Sequence, residues 1–281
     1  VFQMIIGTLS IVLTSIIWGT VIFYYKKLME KESFYTLNFK RVFSALMFSF
    51  PIAVINWTTK GALPSMLSGI VGLGIGDTLY LYAILKSGAS IAVPVAYTFV
   101  ILSQLTAFLI GEKVGLQLVI GALFAFLGVS LLNKENSSAN PKGVVMAFLA
   151  GISWMFSVVL IKHATVAEGS PSYIVAFYRL LGATLFLGCL NYYLDRNPKR
   201  LFNITQRILP PISFIDMYLG ATLYSLGVSQ LGVSKTVIIV SLSPAITVIF
   251  AKVMRLEEIN RYKAIGTILI IAGNVLTQVT G

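Results

Sequence analysis

Apolar residues run along this chain in long stretches separated by short polar breaks. A helix that crosses a bilayer needs roughly 17–25 mostly apolar residues. Ten segments read as spans of that kind. The first half of the chain holds Met4–Tyr25, Phe34–Ile55, Met66–Leu85, Ala89–Ile110 and Leu116–Leu132. The second holds Gly143–Ile161, Ser172–Leu194, Ile212–Leu226, Ser234–Val253 and Lys263–Val279. These runs are longer than a barrel strand and do not alternate in polarity, so they are predicted to be helices. The connections are short; the longest, Asp195–Arg207, carries the breaker Asn197-Pro198. The polar run from Asn136 to Pro141 is the one linker-like segment. The chain opens on Val1, and its first apolar run has neither a basic leading region nor a small-residue cleavage site. It is therefore read as the first span rather than as a removable leader.

The pattern then repeats. Trp18-Gly19-Thr20 with Lys26 recurs as Trp154-Met155-Phe156 with Lys162, and Phe39-Lys40-Arg41 recurs as Phe177-Tyr178-Arg179. Thr78-Leu79-Tyr80 with Gly88 recurs as Thr222-Leu223-Tyr224 with Gly232, and Glu112, Gly121 and Gly128 recur, identically spaced, as Glu257, Gly266 and Gly273. The halves are drawn at 1–137 and 138–281. Each holds five spans, an odd number, so the second half must enter the membrane from the opposite side. The expected fold is all-α: ten transmembrane helices forming two inverted five-helix repeats around a central cavity, a layout typical of secondary transporters.

Composition supports the membrane and narrows the chemistry. The chain is 57% hydrophobic and 11% charged, where a soluble domain carries about 25% charged residues. The single cysteine, Cys189, and the single histidine, His163, remove disulfide frameworks, Cys-based metal sites and most His-dependent catalysis. Neither a dinucleotide-binding nor a Walker A glycine pattern occurs, so no cofactor and no ATP-driven step is expected. The net charge of +11 is read as topology rather than as nucleic-acid binding, because no basic arm with interleaved aromatics appears. Most cationic residues of the connections fall in the odd-numbered ones, while the even-numbered ones hold only Lys60, Lys113, Lys162 and Lys235. The positive-inside rule then puts both termini outside.

Ionisable groups inside spans are functional candidates by default. Asp77, in Gly74-Ile75-Gly76-Asp77-Thr78, sits near the middle of the third span and is the first candidate for binding or coupling. Asp216, nearer the start of the eighth span, is the second, with an interfacial position as its alternative. Arg41 and Arg179 are repeat mates early in their spans and are expected to be structural charges, snorkelling or paired with a carboxylate. Trp18 and Trp154 lie too deep for a headgroup belt and are candidates for a cavity wall. Tyr80, Tyr97, Gln104, Tyr224, Ser241 and Ser243 are further polar groups within spans, and a mostly apolar pocket with a few placed polar groups is the usual small-molecule site. Pro94 and Pro244 fall in the fourth and ninth spans and mark expected hinges. The glycine pairs Gly121/Gly128 and Gly266/Gly273 lie two turns apart on one helix face, which suits close helix packing. Glu112 and Glu257 read as caps at span ends.

Together these residues resemble the drug/metabolite transporter superfamily, specifically its ten-helix EamA-like members. The resemblance rests on Trp18-Gly19 with Lys26, Arg41, and Gly111-Glu112-Lys113 with Gly121 and Gly128; in the second half, on Trp154 with Lys162, Arg179, and Leu256-Glu257-Glu258 with Gly266 and Gly273. It covers almost the whole chain. It implies a central cavity built mainly from the first, third, fourth, sixth, eighth and ninth helices, with the fifth and tenth flanking it or forming a homodimer surface. It also implies cytoplasmic termini, against the charge distribution. The second half departs from the pattern in lacking the glycine of its Trp-Gly and Gly-Glu pairs.

The expected function is secondary transport of small metabolites, amino acids or amphipathic compounds, by alternating access in the plasma (inner) membrane, with Asp77 carrying the proton if transport is proton-coupled. The expected partners are a small-molecule substrate and the lipid bilayer, with no metal and no nucleic acid. The alternatives are a channel or lipid flippase of the same fold. More remotely, Gly74-Ile75-Gly76-Asp77 spells the GxGD motif of intramembrane aspartyl proteases, with Asp216 as the second carboxylate of a dyad. The order of the two aspartates, the absence of a Pro-Ala-Leu motif and the duplicated layout argue against an enzyme.

Overall fold

The computed structural model describes residues 2–29, 32–55, 57–132, 134, 140–195, 207–255 and 260–278. Its helices are α1 (Phe2–Met29), α2 (Phe34–Ile55), α3 (Ala62–Ser87), α4 (Ala89–Ala96), α5 (Phe99–Leu109), α6 (Leu116–Leu132), α7 (Pro141–Ala167), α8 (Ser172–Asp195), α9 (Leu209–Val240), α10 (Leu242–Val253) and α11 (Arg261–Gln278). Seven helical stretches among the described residues are long and apolar enough to cross a membrane, and α6 and α10 are shorter apolar helices. The expected repeat boundary at 137/138, Glu257 and most of the Asp195–Arg207 connection lie outside the described residues, as does the side chain of Lys26.

Two expected spans are divided where the apolar pattern is continuous. The fourth, Ala89–Ile110, is broken between α4 and α5 at Tyr97 and Thr98. The ninth, Ser234–Val253, begins inside α9, which bends at Gly232 (φ 81°, ψ 178°), and resumes as α10 after Ser241. Gly88, the repeat mate of Gly232, has nearly the same backbone (φ 75°, ψ 160°) and separates α3 from α4. Side-chain-bearing residues avoid this region of backbone space, so each chain reversal is made at a glycine. Hydrophobicity does not register it.

The repeats also share an unusual helical form. Gly69–Gly76 in α3 and Phe214–Gly220 in α9 are π-helical, at matching positions of the two halves. Such segments are rare and concentrate at functional sites.

The packing exchanges elements between halves. α1 packs on α9 and α10, α7 packs on α3, α4 and α5, α2 packs on α8, and α6 packs on α11. In α1 the outward stripe is Phe2, Ile5, Leu9, Leu13 and Ile16, all exposed, while Ser10, Ile11, Thr14 and Ser15 are buried. Lipid tails are as apolar as leucine, so large side chains are left to the lipid and small residues let backbones approach. The glycines of α6 and α11 take this furthest. A Cβ on Gly121 would stand 2.9 Å from the Gly273 carbonyl oxygen, and one on Gly128 would stand 2.6 Å from that of Gly266. Because 121 meets 273 and 128 meets 266, the two helices run antiparallel.

Contacts between connections gather at two ends. The Gly61 N–H donates to Glu168 at 2.7 Å, and Glu112 joins Lys162 (2.8 Å) to the backbone beyond Gly232. At the other end Ser87 donates to the Asn140 carbonyl at 3.0 Å and Lys134 lies over the Tyr262 ring.

Candidate functional site

The π-helical segments deliver two carboxylates to one guanidinium. Arg41, on α2, places Nη2 3.2 Å from Asp216 Oδ2 and 3.9 Å from Asp77 Oδ2. Asp216 lies within the α9 segment, and Asp77 follows the last residue of the α3 segment. The Tyr25 ring, wholly enclosed near the end of α1, lies 4.1 Å from the guanidinium carbon. Asp216 is thus deep in the bundle, not at an interface. Burying one such charge alone is costly in lipid; the close pair and the aromatic face offset that cost.

The two tryptophans close over the same centre from opposite repeats. Trp154 Nε1 donates to Asp77 Oδ1 at 3.0 Å, and its ring packs on Tyr80 and Phe99 with centroids 5.0 and 5.7 Å apart. Trp18 Nε1 donates to the Asp216 backbone carbonyl at 3.3 Å, and its ring packs on Tyr224 at 5.3 Å. Gly76 and Gly220 make room for them: a Cβ at either would come within 2.9 Å of the facing indole. Asp77 and Asp216 differ in access, with side chains 16% and 3% exposed.

Of the residues picked from sequence, Trp18, Asp77, Tyr80, Trp154, Asp216, Tyr224 and Arg41 surround this centre. Tyr97, in the turn between α4 and α5, packs into the same aromatic cluster through Phe99. Gln104, Ser241 and Ser243 are placed differently. Gln104 bonds Ser234 through its carbonyl oxygen and amide, tying α5 to the helix beyond Gly232. Ser241 and Ser243 donate to the carbonyls of Ile238 and Val240, within the turn between α9 and α10. Pro94 precedes the Tyr97 break and Pro244 follows the Ser241 break. In the first turn of α10 the missing N–H of Pro244 costs little. Arg179, the mate of Arg41, is 5% exposed, and no described carboxylate lies within ion-pair distance of it.

Sequence reasoning missed two contributors, Tyr25 and Asn38. Tyr25 looks like an interfacial aromatic at the end of a span. Asn38, one turn before Arg41, donates to the Leu73 carbonyl at 2.8 Å and to Thr78 at 3.0 Å, taking up a carbonyl of the π-helical segment; its only signal was polarity inside a span. Glu112, expected as an interface cap or loop contact, is one, with partners that the sequence did not specify. It accepts from the N–H groups of Val233 (2.6 Å) and Ser234 (3.0 Å) and pairs with Lys162. A pocket of about 290 Å³ opens beside it, between Lys113, Val228 and Lys235.

Comparison with known proteins places this arrangement. The EamA-like transporter family matches residues 5–134 and 141–278, once for each half. An uncharacterized transporter of Archaeoglobus fulgidus is 26% identical over 258 residues, covering 90% of each chain. The uncharacterized transporter YyaM of Bacillus subtilis is 24% identical over 78% of this chain and 73% of its own. A WAT1-related protein of Arabidopsis thaliana is 28% identical over 43% of this chain and 34% of its own. A solved crystal structure superposes with a TM-score of 0.78 over 97% of this chain and 96% of its own, at 18% identity.

Proposed function

The chain belongs to the EamA-like transporter family, and from that membership and the charged centre we propose that it moves a small solute by alternating access through the middle of the bundle. It is an integral, multi-pass membrane protein of transporter kin. The observation that carries the proposal is the meeting at Arg41 of Asp77, which follows one π-helical segment, and Asp216, which lies within the other.

The proposed architecture is ten spans in two inverted repeats, 1–137 and 138–281. The antiparallel α6–α11 seam, the matched breaks at Gly88 and Gly232 and the reciprocal tryptophan contacts all support it. Rocking one repeat against the other would open the centre to either side in turn. We assign the protein to the plasma (inner) membrane.

Coupling to protons would run through Asp77. It is the more accessible carboxylate and the farther from Arg41. It is therefore the one a proton reaches and the one less firmly held as an anion. The same geometry speaks against an aspartyl protease dyad, in which two carboxylates share one proton. Here the Arg41 guanidinium stands at ion-pair distance from both carboxylates, a partner that a proton-sharing dyad does not have. We therefore assign no enzymatic activity.

The test is efflux from proteoliposomes loaded with a whole-cell metabolite extract, read by mass spectrometry with and without a pH gradient. We expect selective, saturable loss of a few compounds from wild type, and loss of only the gradient-driven part in Asp77→Asn. Equal rates in wild type and Asp77→Asn under the gradient would remove Asp77 from coupling. No selective efflux from folded protein would remove the transport reading and make lipid scrambling the next assay.

A further inference from the structure

The repeat relation makes a comparison possible that neither half offers alone. Arg41 and Arg179 occupy equivalent positions on α2 and α8, and each guanidinium reaches across to the π-helical segment of the other repeat. Arg41 finds Asp216 there. The register that sets Thr78-Leu79-Tyr80 on Thr222-Leu223-Tyr224 sets Gly72 on Asp216. Arg179 faces Gly72, its Nη2 lying 3.6 Å from where a Cβ at that residue would stand, and the Ser157 side chain fills the space directly over the glycine. The carboxylate that completes one site is absent from the other.

The remaining partners of Arg41 are missing too. The place of Tyr25 is taken in the second repeat by Ile161, and that of Asp77 by Ala221. Arg179 Nε and Nη1 are buried with no acceptor among the described residues, while Asp77 and Tyr224 are within electrostatic reach without pairing. A guanidinium without an ion-pair partner is costly at this depth. Its repeat mate, although Arg41 Nε also lacks an acceptor among the described residues, has the carboxylate pairs that Arg179 lacks.

We infer that Arg179 is the anion-binding residue of the transport site, and that the transported solute carries an oxyanion, a carboxylate in the first instance, which pairs with Arg179 as Asp216 pairs with Arg41. This inference rests on the transport reading and deepens it. Guanidinium matches carboxylate geometry through two parallel N–H donors, on its Nε/Nη2 edge or its Nη1/Nη2 edge, and each edge of Arg179 includes one of the two nitrogens that lack an acceptor among the described residues. The charges agree. Arg41, Arg179, Asp77 and Asp216 balance when all are ionised, and protonating Asp77 leaves one positive charge for the solute anion to neutralise. Proton and anion would then occupy the site together.

Two measurements test it. The first needs no ligand: thermal unfolding of the solubilised protein. Arg41→Gln strands two buried carboxylates and should lower the melting temperature, on the order of 5 °C or more. Arg179→Gln removes a charge that forms no ion pair with a described residue and should leave it unchanged or raise it. A fall in Arg179→Gln as large as in Arg41→Gln would make Arg179 a structural residue and overturn the inference.

The second is efflux of a defined mixture: acetate, lactate, phenylacetate and benzoate beside acetamide, lactamide, phenylacetamide and benzamide. The liposomes are phosphatidylcholine alone or with phosphatidylglycerol. We expect wild type to prefer one or more acids over the matching amide, and Arg179→Gln to reduce that preference on the order of tenfold. Preference for amides, or acid transport unchanged in Arg179→Gln, overturns the inference while leaving transport standing. A melting-temperature rise with phosphatidylglycerol that Arg179→Gln abolishes, without acid transport, would assign the anion to a lipid phosphate and likewise overturn the solute. Failure to move any solute, with Arg179→Gln as stable as wild type, counts against the transport reading itself.

Discussion

At the scale of single residues, the centre consists of charges whose energies depend on their neighbours. Arg41 and Asp216 form a close, enclosed pair; removing one partner of such a pair typically costs about 3–5 kcal/mol. Arg41→Gln alone is therefore expected to destabilise strongly, and adding Asp216→Asn should recover part of the loss. A double-mutant cycle on unfolding temperature measures that coupling; additive effects would mean the pair contributes nothing. Trp154→Phe keeps the ring packed on Tyr80 but removes the N–H to Asp77. It should slow gradient-driven transport more than it lowers stability, and a parallel loss of both would make Trp154 a packing residue only. Asp77 was legible in sequence because a carboxylate in an apolar run has few bland explanations. Arg179 was read as structural, like its mate. Nothing along the chain shows that one arginine meets an aspartate and the other a glycine.

At the scale of elements, glycine does what hydrophobicity cannot report. Gly232 holds a backbone conformation costing about 1–3 kcal/mol for other residues, and a Cβ there would lie 2.7 Å from the Glu112 carboxylate. Gly232→Ala should lower the melting temperature clearly more than Gly111→Ala. Gly111 also has positive φ (84°), but open space surrounds its Cβ direction. Equal effects would mean that backbone strain alone matters and the Glu112 cap does not. In the α6–α11 seam, Gly128→Val would push side-chain atoms onto the Gly266 carbonyl, so it is expected to separate the helices and reduce folded yield, measured by monodisperse recovery after extraction. The spacing of these glycines pointed to close packing. Their partners could not be read, because a two-turn repeat on one face fits many facing helices.

At the scale of the whole molecule, the proposed inverted layout predicts sidedness. In a Cys189→Ser background, cysteines at Lys60 and Lys113 should react with an impermeant maleimide from one side of the membrane, and cysteines at Lys86 and Lys142 from the other. The link from Gly61 to Glu168 and that from Ser87 to Asn140 mark these as opposite ends of the bundle. Labelling of all four from one side would sink the ten-span arrangement. The same experiment in intact cells decides whether the charge distribution or the habit of the family sets the orientation of the termini.

Helical character, membrane residence and duplication were set by the chain alone. They follow from run lengths, from the scarcity of charge and from motifs that recur in order, all local properties of the sequence. The turns that lead into the expected fourth and ninth spans are set by backbone dihedrals at Gly88 and Gly232, and the breaks within those spans fall at Tyr97–Thr98 and Ser241; the apolar pattern encodes none of them. The candidate site was decided only in three dimensions. Its charges lie on α2, α3, α8 and α9, far apart in sequence, and their partners are fixed by how one repeat docks across the other. Electrostatic satisfaction is a property of distance, so the sequence could supply two equivalent arginines, but only the folded bundle could set one of them beyond ion-pair distance of every described carboxylate.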